Sequence, residues 1–367
     1  MSRSRKQTLE EAMERIEKAK ESRKGSRSVR ERNVTLSHGS GGKATHDLIE
    51  GIFAPAFANP VLDLMGDAAV FAPNGTGERI AFTADSFVVT PLFFPGGDIG
   101  TLAVHGTVND LTVSGATPSH LSVSVILEEG FPIETLRRIV DSMTEAAAAA
   151  SVAIVTGDTK VVERGKADGL YVNTAGVGAM RPDAAVSPAG AEPGDRILVS
   201  GPLGDHGIAI LMAREELAIE SDIASDTAPL HELAGALFDA LREDVHCLRD
   251  ATRGGLAAAL NEFAAASGVG IAIEEEAVPV RRDVRGACEI LGIDPLQIAN
   301  EGKLVAVVAE GRAREALEAM RAAPHGGEAA IVGEVLAEPA EMVFVRTAVG
   351  GKRVLDMLVG DALPRIC

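Results

Sequence analysis

Residues 121–150 read LSVSVILEEGFPIETLRRIVDSMTEAAAAA and contain both kinds of secondary structure on which the fold depends. Leu121–Leu127 is a short β-prone run, and the alanine-rich stretch Ile133–Ala150 that follows it is typical of a helix. Arg79–Val89 is a second β-prone run of the same kind. Because short strands alternate with helical stretches, the sequence predicts a mixed α/β (α+β) fold.

The second half of the chain shows the same alternation. We expect strands at Arg196–Ser200, Gly270–Ile273, Leu304–Val308 and Met342–Arg346, and helices at Ile208–Leu217, Gly254–Ala266 and Val284–Leu291. Between the two halves, residues 181–194 read RPDAAVSPAGAEPG, and this density of proline, alanine and glycine favours a linker. The sequence therefore predicts two domains of similar size, at residues 33–180 and 181–350.

The two ends of the chain differ from the domains in composition. Residues 1–32 contain eleven Lys or Arg against six Glu, a net charge of +5, whereas the remainder carries 24 basic against 47 acidic residues. Because Ser, Gly and Arg dominate residues 21–32, we expect this extension to be mostly disordered. Residues 351–367 are predicted to form a flexible tail that ends in Cys367, since Gly350, Gly351 and Gly360 allow it to move.

The composition also argues against several classes of function. The chain has 367 residues, a net charge of −18, no Trp and a single Tyr, which is unlike a nucleic-acid surface or an aromatic stacking platform. No run reaches the roughly 18 to 20 apolar residues that span a bilayer, and the basic N-terminus lacks the apolar core of a secretory signal. Three widely spaced cysteines predict reduced thiols. We therefore expect a cytoplasmic protein that binds neither nucleic acid nor membrane.

A glycine-rich loop, SHGSGGK at residues 37–43, precedes a helical pattern at Ala44–Phe57. Glycines allow backbone N–H groups to turn toward one point, and a following helix adds its partial positive charge, so the loop suits a phosphate. Its spacing matches neither a Walker loop nor G-x-G-x-x-G. A plain flexible turn is the alternative at this stage.

Four aspartates stand at the ends of apolar, strand-like runs: Asp67, Asp85, Asp110 and Asp158. Carboxylates at strand ends can converge on one cleft, where Mg²⁺ would neutralise them and bridge nucleotide phosphates. Each of them could equally be a cap or turn residue. Their similar contexts favour a site that binds metal and phosphate.

Three further features place charged residues where they could bind a ligand or act in catalysis. Asp158 and Lys160 are predicted to lie on one face of a strand, which places an anion and a cation together, either at a functional site or as a surface ion pair. Asp250 belongs to the loop RDATRGG, residues 249–255, where it could bind a ligand or cap the following helix. Glu301 precedes a predicted strand and could act as a base or form a turn.

The chain ends in LPRIC, residues 363–367. Pro364 prevents a helix from continuing, so the terminal thiol can move. The thiolate is the reactive form of cysteine, and Arg365 favours it while the terminal carboxylate opposes it. The ending is not a C-a-a-X prenylation box.

Taken together, these motifs resemble the carbamoyl dehydratases of hydrogenase maturation, a family of the PurM-like (aminoimidazole ribonucleotide synthetase-like) superfamily. The resemblance covers essentially residues 33–367. The stretches that carry it include HGSGGKATHDLI (38–49), TADSFVVTPLFFPGGDIG (83–100), AVHGTVNDLTVSGATPSHLS (103–122), IVTGDTKVVERGKADGLYVNTAGVG (154–178), SGPLGDHGIAIL (200–211), LRDATRGGLAAALNEFA (248–264), ANEGKL (299–304) and the terminal LPRIC.

The resemblance implies a two-domain fold, ATP and Mg²⁺ in a cleft, and a homodimer with a β-barrel-like interface between N-terminal domains. It also implies a reaction in which a carbamoyl group on the sulfur of Cys367 is dehydrated to a thiocyanate, the cyanide donor for the iron of [NiFe]-hydrogenase. The implied partners are a HypF-like carbamoyltransferase and a HypC–HypD-like iron scaffold complex. Residues 1–32 lie outside the resemblance.

The resemblance further implies roles for individual residues. Cys367 carries the substrate, Lys160 stabilises phosphoryl transfer, Glu301 is the base, and His38 is a secondary catalytic candidate. Magnesium and ATP are assigned to Asp67, Asp85, Asp110, Asp158 and Asp250, with the phosphate at Gly39, Gly41 and Gly42.

Two alternatives remain at this stage. Another PurM-like kinase or synthetase, such as a selenophosphate synthetase, would be favoured by a nucleophilic Cys near the glycine-rich loop, and this loop has none. A non-catalytic scaffold that only carries a modified thiol would need no metal and phosphate cleft. For the dehydratase, we expect the last ~15 residues to alternate between a tucked and an extended state, with a reach of roughly 50 Å.

Overall fold

The structure is a computed structural model that describes residues 32–73, 77–214, 222–358 and 365–367. The predicted extension at residues 1–32 lies outside the described residues except for Arg32. The structure has two α/β parts, each built on its own sheet, which confirms the predicted fold class. No helix among the described residues is long and apolar enough to cross a membrane.

The first part contains an open five-stranded sheet with the strand order β1-β2-β7-β5-β6. β5 and β6 run parallel, and the other neighbours are antiparallel. The strands are β1 Ala69–Phe71, β2 Ile80–Phe87, β5 Ala116–Glu128, β6 Ala153–Val162 and β7 Leu170–Met180, with a small hairpin of β3 Phe93–Phe94 and β4 Gly97–Asp98. The predicted barrel-like dimer interface involves a second chain and stays a prediction.

Two long helices pack with this sheet: α3 Ile99–Val113 and α4 Ile133–Ala149. The second matches the predicted helix, while the first was not predicted. Nearly every residue of α3 is buried, so it has no polar face and no amphipathic period to detect. Asp98 caps α3 by accepting hydrogen bonds from the backbone N–H groups of Gly100 and Thr101.

The glycine-rich loop leads into a helical segment that is less regular than predicted. It begins with α1 Lys43–Leu48, continues through one π-helical stretch at Ile49–Phe53, and ends with the short α2 Ala54–Ala56. The predicted extent, Ala44–Phe57, is therefore right to within one residue at each end, while the widened turn could not be read from the apolar pattern.

The second part contains a seven-stranded sheet with the order β14-β13-β10-β12-β8-β11-β9. Its strands are β8 Arg196–Val199, β9 Val245–Asp250, β10 Gly270–Glu274, β11 Leu304–Val308, β12 Ala330–Leu336, β13 Met342–Arg346 and β14 Lys352–Val354. Its helices are α5 Asp205–Ala213, α6 His231–Leu241, α7 Gly255–Ser267, α8 Arg282–Leu291 and α9 Ala313–Ala322. The four predicted strands are confirmed. β14 lies within residues 351–367, so the paired part of the chain extends into the predicted tail.

The two parts meet along α3, which packs against β2 and β7 on one side and near β9 and α6 on the other. Asn109 on α3 donates a hydrogen bond to the backbone O of Ala228 at 3.0 Å and accepts one from the N–H of Leu230 at 2.8 Å. Asn109 is 1% exposed, so its amide must find partners inside the protein. These bonds bring residues from both parts to one cleft.

Candidate active site

Three carboxylates from different elements converge in the cleft. Asp67 precedes β1, Asp110 lies near the end of α3, and Asp250 is the last residue of β9. One oxygen of each lies within 4.8 Å of the others, in an arrangement that could hold a metal ion. Hard divalent cations such as Mg²⁺ prefer oxygen ligands of this kind. Two of the four aspartates predicted to converge, Asp67 and Asp110, belong to this group, but the strand-end position predicted for Asp110 is wrong, because Asp110 lies on the helix α3. Asp250 joins them from the separate stretch RDATRGG.

Neighbouring polar groups hold the three carboxylates in place. Thr83 Oγ1 lies 2.8 Å from Asp110 Oδ2 and 2.9 Å from the backbone O of Asp67. Arg249 forms ion pairs with Asp67 Oδ1 at 2.9 Å and with Glu262 Oε2 at 2.6 Å. Arg249 thus pairs with the cluster and is shared with a carboxylate outside it.

The electrostatics of the cluster favour a bound cation. Burial raises the pKa of Asp67, Asp85 and Asp110 because the charged form loses its hydration. Burial likewise raises the pKa of Asp250 to about 8, and the charge of Asp67 adds to the effect. Arg249 opposes these shifts at Asp67 without cancelling them. A divalent ion would allow all of these groups to ionise together, so the residues present fit Mg²⁺.

The terminal cysteine lies inside the same cleft. Cys367 is half-buried, and the backbone N–H of Val88 donates a hydrogen bond to its O atom at 3.3 Å. The N–H of Thr90 donates to the O atom of Arg365 at 3.2 Å, and the Ile366 side chain is 5% exposed in the apolar core. The chain end is therefore docked beside the segment that follows β2.

The thiol of Cys367 lies next to the predicted base. Burial raises the pKa of this thiol, Arg253 opposes the shift, and Glu301 raises it further by its charge and by accepting a hydrogen bond. Glu301 is itself 4% exposed, and burial raises its pKa, with the charges of Asp250 and Asp226 adding to the effect. The predicted carrier and the predicted base are thus brought together.

The glycine-rich loop packs against both the Arg253 loop and the tail. Gly41 has a φ of +72°, and a Cβ at this position would lie 2.7 Å from the Cβ of Arg253. A Cβ at Gly42 would lie 2.4 Å from the O atom of Leu358, which also accepts the N–H of Lys43 at 3.1 Å. Close packing therefore already requires glycine at both positions.

Gly39 differs from the other two predicted phosphate-binding glycines. A Cβ at Gly39 would meet nothing within 4 Å, so one side of this residue is open. Its O atom accepts a hydrogen bond from Arg253 at 2.8 Å. Gly39, Arg253 and Cys367 line one cavity of about 60 Å³. The loop is thus adjacent to the terminal thiol.

His38 is turned toward its own loop. It is 5% exposed, and its Nδ1 accepts a hydrogen bond from the backbone N–H of Thr35 at 3.1 Å. The same nitrogen lies 2.9 Å from Thr35 Oγ1. This geometry stabilises the loop, and a catalytic role for His38 stays a prediction.

Asp158 and Lys160 lie apart from the carboxylate cluster. They form an ion pair of 2.6 Å on the edge strand β6, with side chains 60% and 67% exposed. The hydrogen bond from Lys160 lowers the pKa of Asp158, and Lys160 is the charge that acts on it. The three-carboxylate group does not include Asp158. Within one chain, the structure does not bring this pair to the site.

Sequence reasoning missed two arginines that belong to the site. Arg249 binds the cluster, and Arg253 lies between the glycine-rich loop and Cys367. Both belong to the loop RDATRGG, which was considered for its glycines and for Asp250. The signal that could have identified them is the presence of two arginines in a glycine-containing loop that was predicted to approach a ligand.

Comparison with known proteins assigns both parts of the chain to one family. The model of the AIR synthase related protein, N-terminal domain, matches residues 65–180, and that of the C-terminal domain matches residues 192–346. A carbamoyl dehydratase HypE of Azotobacter vinelandii is 54% identical over 340 residues, which is 92% of this chain and 98% of that protein. The carbamoyl dehydratase HypE of Escherichia coli (strain K12) is 50% identical over 91% of this chain and 99% of its own.

Solved structures give the same result. A crystal structure of a HypE–HypF complex has a TM-score of 0.81 and 50% identity, and covers 85% of this chain and 99% of the matched chain. A crystal structure of HypE in complex with ATP has a TM-score of 0.75 and 49% identity, and covers 91% of this chain and 100% of the matched chain. The ThiL protein AaThiL, complexed with AMPPCP and TMP, has a TM-score of 0.65 at 20% identity, which is a likeness of fold.

Proposed function

This chain belongs to the AIR synthase related family, and on that premise we propose that it is an ATP-dependent carbamoyl dehydratase that acts in hydrogenase maturation. Relatives named carbamoyl dehydratase HypE are about half identical to it over nearly their full length, and one HypE structure contains ATP. The observation that carries the proposal is the position of Cys367, whose thiol lies beside the buried Glu301.

The reaction needs a leaving group and a base. A thiocarbamate on Cys367, S–C(=O)–NH₂, becomes a thiocyanate, S–C≡N, when its oxygen departs and its nitrogen loses both protons. The amide oxygen is a poor leaving group until transfer of the γ-phosphoryl group of ATP converts it into phosphate. The products are then the thiocyanate, ADP and phosphate, and the active site must accept protons from nitrogen.

Glu301 is suited to accept a proton. Its raised pKa makes the carboxylate a stronger base than an exposed glutamate, closer to the pKa range useful near neutral pH. Its Oε1 has no hydrogen-bond partner among the described residues. It lies next to the sulfur that carries the group to be dehydrated. We therefore assign the base to Glu301, the role that the family resemblance implies.

The phosphate-binding side of the cleft is assigned to residues of both parts. Asp67, Asp110 and Asp250 would hold Mg²⁺, which would supply charge neutralisation to the nucleotide phosphates. Asp85 contributes negative charge beside them. Arg253 places a guanidinium between the glycine-rich loop and the sulfur, where it can stabilise negative charge that develops on the transferred group.

A homodimer accounts for the exposed face of the first sheet. Three apolar side chains that are at least 37% exposed, Phe71, Phe82 and Ile126, lie on the face of the sheet opposite α3. Three more, Ile154, Val155 and Val161, lie on the edge strand β6. Exposed apolar residues grouped in this way are typical of an interface. Pairing through this face would cover the edge that carries Asp158 and Lys160. We therefore propose that Asp158 binds metal and Lys160 stabilises phosphoryl transfer when two chains are paired in the dimer.

The tail docked in the cleft represents the tucked state of the predicted cycle. Carbamoyl loading requires the thiol to leave the cleft and reach a HypF-like carbamoyltransferase, and one similar structure is a HypE–HypF complex. The proposed acceptor of the cyanide group is a HypC–HypD-like iron scaffold complex. Cys247, Cys288 and Cys367 are all free thiols, which suits the proposed cytoplasmic location.

Intact-mass spectrometry tests the proposal. After incubation with a HypF-like enzyme, carbamoyl phosphate and ATP-Mg²⁺, the terminal peptide should gain about 43 mass units and then lose about 18. Cys367→Ala should abolish both changes, while Cys247→Ala, which removes a buried thiol elsewhere, should preserve them. ATP hydrolysis without modification of Cys367 would instead indicate a small-molecule kinase of the same family.

A further inference from the structure

We propose that His206 is a positioning residue of the dehydration step, because its imidazole holds the peptide group between Ile366 and Cys367 and thereby places the sulfur against Glu301. The inference rests on the proposed function. The hydrogen bonds of His206 go to Ser225 and Ile366, which lie outside the carboxylate cluster and the glycine-rich loop. His206 is fully buried as the second residue of α5.

The hydrogen bonds of His206 define its tautomer. Nε2 lies 2.7 Å from the O atom of Ile366, and a carbonyl oxygen can only accept, so Nε2 carries the proton. Nδ1 lies 2.8 Å from Ser225 Oγ, which already accepts the backbone N–H of Thr227 at 3.1 Å. The Ser225 hydroxyl is therefore the donor to Nδ1. Burial lowers the pKa of His206, which keeps the imidazole neutral and this pattern intact.

The helix that carries His206 is tied to the loop that carries Glu301. The N–H of Gly204 donates to Asn300 Oδ1 at 2.8 Å, and the N–H of Gly207 donates to the O atom of Ala299 at 3.1 Å. Asn300 is the residue directly before Glu301 and is 1% exposed. The anchor and the base therefore move as one unit, and the distance between the sulfur and the carboxylate is set by this frame.

Other contacts with the tail hold different groups. Arg214 donates to the O atom of Arg365 at 2.6 Å, and Arg365 forms an ion pair with Asp168. The N–H of Val88 holds the O atom of Cys367. His206 instead fixes the plane of the peptide group between Ile366 and Cys367, and the orientation of this plane sets the direction of the Cys367 side chain. Without it, the plane can rotate while the rest of the tail stays docked, so the sulfur moves away from Glu301.

The test compares full-length variants in the HypF-coupled mass assay. His206→Ala should load the carbamoyl group at least as fast as wild type, since loading requires the extended tail, but dehydrate it about 10- to 100-fold more slowly. His206→Gln should recover most of the rate, because its amide N–H can replace Nε2–H. His246 is a matched control in the second part of the chain, since it bonds Asp195 and not the tail. His246→Ala should leave the dehydration rate unchanged.

A second readout follows the tail itself. Loss of the anchor should speed the alkylation of Cys367 by iodoacetamide several-fold in His206→Ala and not in His206→Gln. If His206→Ala does not fold, Ser225→Ala serves in its place, because it keeps the imidazole but removes the partner that fixes its tautomer. Ser225→Ala should then slow dehydration with loading intact.

The outcomes are separable. Dehydration at the wild-type rate in a folded His206→Ala, or equal impairment of the Ala and Gln variants, overturns the positioning role. A wild-type protein that loads the carbamoyl group but never loses 18 mass units overturns the proposed function instead. In that case the alkylation rates alone decide whether His206 anchors the tail.

Discussion

Replacing Asp250 with Asn should stabilise the metal-free protein, and more so as the pH rises. Asp250 is 6% exposed, and its carboxylate oxygen lies within 4.8 Å of those of Asp67 and Asp110. Its pKa is raised from 3.8 to about 8, so between these pH values the folded chain keeps a proton that the unfolded chain releases. The wild-type protein therefore loses stability as the pH rises through this window, and the full cost is reached above pH 8.

The size of the effect follows from the shift. A shift of about four pKa units at about 1.4 kcal/mol each means that ionising Asp250 lowers the free energy of unfolding by at most about 6 kcal/mol. Asp67 and Asp110 titrate together with Asp250, so removing one carboxyl recovers only part of this, about 2 to 4 kcal/mol at pH 8. The gain of the Asn variant over wild type should grow by about 1 kcal/mol per pH unit between pH 5 and pH 8.

Urea unfolding in EDTA at pH 5, 6, 7 and 8 measures this gain. Asp141→Asn is the matched control, because it removes one carboxylate from an exposed position on α4. The free energy of unfolding of Asp141→Asn should equal that of wild type at every pH. Adding Mg²⁺ should stabilise wild type and narrow the difference from Asp250→Asn. If Asp250→Asn is less stable than wild type at pH 8 without metal, or if its gain is the same at pH 5 and pH 8, the electrostatic reasoning is refuted.

Three further predictions concern the base, the tail and the dimer. Glu301→Gln should slow dehydration of the loaded thiol by about 100-fold or more while the gain of 43 mass units on Cys367 persists, and loss of both steps would contradict its role as the base. Ile366→Asp should expel the tail, since it places a charge in the apolar core, and Cys367 should then be alkylated faster by iodoacetamide. An unchanged alkylation rate would show that the tail docks without this side chain. Val161→Glu should convert a dimer into monomers in sedimentation experiments, because it introduces charge at an exposed apolar position of β6, and a persisting dimer would place the interface elsewhere.

Much of the secondary structure could be predicted from local pattern. The strands at Leu304–Val308 and Met342–Arg346 and the helix beginning at Ile133 have the predicted bounds to within one residue. These elements could be predicted because the spacing of apolar residues that indicates a strand or a helix involves positions only a few residues apart in the chain. The helix Ile99–Val113 was missed because burial on all sides leaves no period to recognise.

The candidate site was predicted in its chemistry more than in its geometry. Similar sequence contexts grouped Asp158 with Asp67 and Asp110, yet Asp158 lies on an exposed edge strand with Lys160 as its partner. Asp158 lies within the edge strand β6, whereas Asp67 precedes the opposite edge strand β1 and Asp110 lies on the helix α3. Which of them meet is decided by the packing of α3 on the sheet and by strand pairing between distant segments, and neither can be recognised in a local sequence pattern.

The sequence by itself determined the inventory: an α/β chain in two parts, a set of aspartates, a glycine-rich loop and a terminal cysteine. Only the tertiary structure decided which of these groups meet. The Cys367 thiol lies beside Glu301 because the Ile366 side chain is buried in the apolar core and His206 donates a hydrogen bond to the Ile366 carbonyl oxygen. Apolar burial is non-directional and acts between residues far apart in the chain, so no local pattern specifies the place where the tail docks.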